Sequence, residues 1–139
     1  MNESEMMKAA QPAINEVKRD LGLVGEDITF GQYDDYETNG RNGGPACVQA
    51  GEKEPNTGKF KTFAVSFAKE HIKSLRQLYL IIAHELRHVW QYATGKMEEM
   101  QKNETGTAHD FVTETECEID AETYAQQKFG KIKDIEFGM

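Results

Sequence analysis

The stretch "SLRQLYLIIAHELRHVWQYATG", residues 74–95, narrows the fold more than any other part of the chain. Leu75, Leu78, Tyr79, Ile82, Leu86, Val89, Trp90 and Ala93 recur at three- and four-residue spacing, the period of a helix with one apolar side. The spacing predicts a helix from about Ser74 to Thr94, with Gly95 as its C-cap. A stripe of that length needs a core to lie on. His84, Glu85 and His88 fall outside it, so the pattern turns them away from that core. Ionisable groups at the middle of so apolar a helix are expected to face something polar.

At 139 residues the chain has the length of one domain, 1–139, with one core and one site. Acidic residues outnumber basic ones by 24 to 16, and Lys and Arg are scattered rather than gathered into a stripe, which argues against a nucleic-acid partner. No apolar run approaches the roughly 18 residues of a membrane span, so no membrane partner is expected. The opening "MNESEMMKAAQPAINE" is acidic where a secretory signal is basic and lacks its apolar centre, so a cytoplasmic location is expected. Cys47 and Cys117 match no zinc spacing and are expected to stay reduced.

Around the central helix the pattern predicts further elements. "QPAINEVKRDLGL" reads as an amphipathic helix through Ile14, Val17 and Leu21, ended by Gly22. "ITFGQYDDY" and "ACVQAG" read as strands on either side of the turn-forming "NGRNGG". In "FKTFAVSFAKE", Phe63, Val65 and Phe67 alternate with Thr62, Ala64, Ser66 and Ala68, the clearest strand in the chain. "KMEEMQKNETGTAHDF" reads as a connection holding some helix. A last helix is expected from Thr113, with Glu116 completing a capping box, to Gly130, and the tail "KIKDIEFGM" as a short strand or disorder. "GEKEPNTGKF" has the wrong spacing for a phosphate-binding loop.

His84 and His88 lie one helical turn and about 6 Å apart, close enough for two imidazoles to share an ion. A catalytic zinc requires a third protein ligand. In "TETECEIDAETYAQQKFG", Glu118 is followed by Ala121, Glu122 and Ala125 at i+3, i+4 and i+7, a narrow stripe of carboxylates and small residues. Small residues let a second helix come close enough for a short carboxylate to reach the ion, which makes Glu118 the expected third ligand. The alternative register, Glu116 with Asp120, would put the bulky Ile119 at the contact.

"HELRHVWQ" followed by "EIDAETYA" resembles the gluzincin metallopeptidases, in particular small single-domain, minigluzincin-like peptidases of phage and bacteria. The resemblance covers roughly residues 60–126. It implies an α+β zincin-like fold with an N-terminal helix, a small mostly antiparallel sheet, a metal-binding helix and a glutamate helix. It further implies Zn2+ held by His84, His88 and Glu118, Glu85 as the general base, and a protein or peptide substrate cleaved by a monomer. Two positions depart from the family's habit: Arg87 stands where glycine is frequent, and Glu122 where aspartate would orient a histidine. His109, Tyr92 and Tyr124 are candidates for the oxyanion donor, and the strand from Phe60 to Ala68 for a cleft rim that binds substrate by strand addition. The alternative is a catalytically inactive or latent peptidase-like domain that binds metal or a protein partner. A phosphohydrolase built on His109 and Asp110 would leave Glu85 and Glu118 without a role.

Overall fold

The computed structural model describes residues 3–33, 46–68, 72–103 and 116–137. They form a small α+β domain in the order α1 (Glu3–Asp20), β1 (Asp27–Tyr33), β2 (Ala46–Ala50), β3 (Thr62–Ala68), α2 (Leu75–Thr94), α3 (Lys96–Asn103) and α4 (Glu116–Phe129). The boundaries of α2 follow from capping chemistry. The Ser74 side chain accepts a hydrogen bond from the Gln77 backbone N–H at 3.2 Å, and Gly95, at φ 81°, donates its own N–H to the Tyr92 carbonyl.

Helix α1 begins earlier than its sequence pattern suggests, because Pro12 sits inside the helix rather than at its start. Proline removes one backbone hydrogen bond there. Met6 and Ala10 continue the buried face of Ala13, Ile14 and Val17 across it, and burial of that face offsets the loss.

The sheet has the order β1-β3-β2. β1 runs parallel to β3, from Asp27↔Thr62 to Tyr33↔Ala68, and β2 runs antiparallel to it, from Ala46↔Phe67 to Ala50↔Phe63. The expectation of a mostly antiparallel sheet is therefore corrected to a mixed one, in which the longer pairing is parallel. The connection after β1 leads to the far edge, and β3 returns between the two earlier strands. Central placement also removes β3 as a strand-adding rim, since both of its edges are already paired.

One core holds these elements together. Phe63, Val65 and Phe67 of β3, the apolar face of α1, Leu78, Ile82, Ala83, Leu86 and Val89 of α2, and Ala125 and Phe129 of α4 form a continuous buried cluster. Phe67 stacks on Phe30 with ring centroids 6.3 Å apart. The polar side of α2 faces polar partners, as expected: α4 packs against α2, and Glu85 and His88 are each 7% exposed. Arg76 near the start of α2 donates two hydrogen bonds to the Gly130 carbonyl beyond α4, at 3.0 and 2.7 Å.

The connection after α2 does contain helix, α3, whereas "NGRNGG", His109, Asp110 and the Thr113 cap lie outside the described residues. The tail pairs with the segment leading into α2 through a Ser74↔Glu136 bridge, with Leu75 N–H donating to Ile135 and Phe137 N–H to Lys73. No helix among the described residues is long and apolar enough to cross a membrane.

Phe67 is fully buried and joins sheet to helices. Phe67→Ala is expected to cost about 3–5 kcal/mol in urea denaturation, against no more than about 0.5 kcal/mol for Ile119→Ala at an exposed position. Equal effects at the two positions would contradict this assignment of the core.

Candidate metal centre

Helical spacing puts His84 and His88 on one side of α2, with ring centroids 4.9 Å apart and planes at 77°. Their Nε2 atoms are 3.2 Å from each other. Across from them, Ala121 and Ala125 of α4 are fully buried, and their small side chains let α4 approach α2 closely. Glu118, one turn before Ala121, then reaches both imidazoles: Oε2 lies 2.9 Å from His84 Nε2 and Oε1 2.7 Å from His88 Nε2.

His84, His88 and Glu118 can each offer one ligand atom, and those atoms lie within 4.8 Å of one another. Donors around a tetrahedral zinc, with bonds of about 2.0–2.1 Å, stand about 3.3 Å apart. The two Nε2 atoms, 3.2 Å apart, match that figure, whereas Glu118 meets the rings through different oxygens at 2.9 and 2.7 Å, so its side chain would draw back and rotate to present one oxygen to an ion.

The other nitrogen of each ring is also engaged. His84 Nδ1 is 3.0 Å from Glu122 Oε1, so the longer carboxylate does reach the histidine that an aspartate would orient. His88 Nδ1 is 2.8 Å from Oε1 of Gln91, a fully buried residue that the sequence reading missed. A signal was available: positions 84, 88 and 91 share a helix side, and a glutamine there in so apolar a helix needs a buried partner.

Arg87 and Asp120 form a second tie between α2 and α4. Arg87 Nε donates to Oδ2 at 2.8 Å and Nη2 to Oδ1 at 3.1 Å, a bidentate pair. The guanidinium also lies over the Trp90 ring, 3.8 Å from its centroid, and 5.1 Å from that of Tyr124. Asp120 is thus turned to Arg87 and Gln91, and the group of side chains that could hold an ion consists of His84, His88 and Glu118.

The electrostatics follow from burial beside charge. Burial raises the pKa of Glu85; the nearby charges of His88 and His84 oppose the rise, and that of Glu118 adds to it. Burial works against charge on His84, but the Glu118 hydrogen bond, the charges of Glu85 and Glu118 and the Glu122 contact outweigh it and push the pKa up to about 9. His88 is raised in the same way. Burial alone would raise Glu118, but its hydrogen bonds to both histidines and their charges bring it down to about 2.

The two described oxyanion candidates differ in placement. Tyr124 donates its hydroxyl to Asp20 Oδ2 of α1 at 2.5 Å, on the Arg87 side of the helix pair. Tyr92 packs edge-on against Phe60, and its pKa is raised by burial and then by the charges of Cys117, Glu118 and Glu85. Cys47 of β2 is also raised, by burial and then by Glu85, which places that strand beside the same carboxylate. No family model, curated protein or solved structure matches this chain.

In metal-free protein, the His84 interaction stabilises the fold fully below the ordinary value of 6.5 and is lost as pH rises through about 9. The Glu118 interaction is fully present above 4.5 and is lost as pH falls toward about 2. The His84 and Glu118 contributions to the melting temperature of chelator-treated protein are therefore both complete between these two ordinary values and decline on either side, while the raised pKa of Glu85 adds a loss of stability as pH rises above 4.5. His84→Ala should flatten the alkaline limb, and an unchanged limb in that variant would contradict the assignment.

Proposed function

We propose that this chain is a zinc metallopeptidase of the gluzincin kind, hydrolysing peptide bonds in a protein or peptide substrate. The observation that carries the reading is the convergence of two imidazole Nε2 atoms from α2 and one carboxylate from α4, with the buried Glu85 beside them. Two nitrogens and an oxygen suit zinc and leave a coordination position for chemistry. An ion held there would supply polarisation of the scissile carbonyl and a water pKa lowered toward about 7.

The protein's own groups supply the rest. His84, His88 and Glu118 would hold the ion. Glu85 takes the proton from the attacking water and delivers it to the departing amine, and a carboxylate whose pKa is raised by burial is suited to both halves of that transfer. Of the two tyrosine candidates, Tyr124 commits its hydroxyl to Asp20, and Tyr92, which feels the charges of Glu118 and Glu85, is the one assigned to donate a hydrogen bond to the carbonyl oxygen. Substrate recognition by strand addition passes from β3 to β2, which pairs only with β3 among the described residues and carries Cys47 close to Glu85.

Glu85→Gln keeps the shape of the side chain and removes the base. Cleavage of an unstructured peptide library is expected to fall by at least about 10²-fold while zinc content stays at the wild-type level. Undiminished cleavage would eliminate Glu85 as the base. A zinc-loaded wild type that cleaves nothing would favour the non-catalytic metal- or protein-binding domain instead.

A further inference from the structure

The contacts behind His88 differ from those behind His84. Glu122, which meets His84, has a side chain 53% exposed, whereas Gln91, which meets His88, is fully buried. Gln91 Nε2 donates to the Cys117 carbonyl and to Asp120 Oδ2, each at 2.9 Å. Both of those partners are acceptors. The backbone carbonyl has no hydrogen to give, and Asp120 is held by two N–H groups of a permanently charged guanidinium. The amide end facing them is therefore the NH2, which directs Oε1 to His88 Nδ1.

Two acceptors facing each other at 2.8 Å in a buried site would repel, so Nδ1 carries a hydrogen. In the metal-free structure Nε2 likewise faces an acceptor, Glu118 Oε1 at 2.7 Å, and donates to it; when that proton gives way to an ion, the hydrogen kept on Nδ1 leaves the lone pair of the neutral ring on Nε2. The order of control runs from Arg87 to Asp120, to Gln91 and to His88, and crosses the α2–α4 contact twice.

We infer that Gln91 is the positioning residue of the metal centre: anchored by Asp120 and the Cys117 carbonyl, it holds His88 in the tautomer whose Nε2 is free to ligate and thereby sets metal affinity. This rests on the zinc reading above. Gln91→Met removes the amide at similar length. Asp120→Asn offers Gln91 a donor or Arg87 a poorer acceptor, and so loosens the anchor at a half-buried position.

The test is zinc affinity by competition with a chromophoric chelator, together with 15N spectra of the histidine rings and thermal melts. Zinc-loaded wild type is expected to show His88 protonated at Nδ1 and metal-bound at Nε2. Gln91→Met is expected to bind zinc about 10–100-fold more weakly while melting cooperatively, with a smaller loss in Asp120→Asn. Should Gln91→Met fail to fold, Asp120→Asn decides in the same way. Unchanged affinity in the folded variants, or a His88 bound through Nδ1, would overturn the inference and leave the zinc reading standing. A wild type that binds no zinc, yet shows a protected His88 Nδ1–H lost in Gln91→Met, would overturn the zinc reading and with it the role assigned to Gln91.

Discussion

Two imidazoles and a carboxylate cannot be buried against an apolar core without partners, and α4 is the element that supplies them. His84, Glu85 and His88 share a helix with Leu78, Ile82, Leu86 and Val89, so docking α2 on the core brings the polar side with it. Bare solvent over that side would leave a helix with one wet face. With α4 laid across it, Glu118 meets both histidines and Glu122 the first of them. The small residues Ala121 and Ala125 set how close that approach is, and so whether a short carboxylate can reach.

That contact is reinforced away from the candidate centre. Arg87 binds Asp120 and lies over Trp90, while Tyr124 reaches from α4 to Asp20 of α1, next to Lys128, which pairs with Glu16 and Asp20. The exposed pairs among these contribute little each, and the half-buried bidentate Arg87–Asp120 pair contributes more because its geometry is fixed and partly shielded. Arginine where a glycine would leave open space thus gives α2 a second grip on α4. The same carboxylate anchors Gln91, so packing and ligand orientation draw on one set of contacts.

Local signals carried much of this. The period of the apolar residues and the chemistry of Ser74 and Gly95 located α2 within a residue at either end, because a helix records its caps and its buried side in consecutive residues. The alternation of Phe63, Val65 and Phe67 marked a strand for the same reason. Strand direction was not legible, since parallel and antiparallel neighbours ask the same alternation of β3 and differ only in how the chain returns. The first two turns of α1 lay ahead of the stretch read as helix, and their place in it rests on the tertiary burial of Met6 and Ala10. Around the centre, the spacing of His84 and His88 and the alanine stripe after Glu118 were readable along single helices. The pairing of Arg87 with Asp120 and of Gln91 with His88 and Asp120 depends on how two helices are set side by side, which no single segment encodes.

The most direct test of the central claim is the metal content of protein purified without chelator, for wild type, His84→Ala and Glu118→Ala, by elemental analysis. A three-ligand centre predicts about one zinc per wild-type chain, lost or much weakened in both variants. A wild type that takes up no zinc even after reconstitution, or variants that retain it fully, would contradict the account.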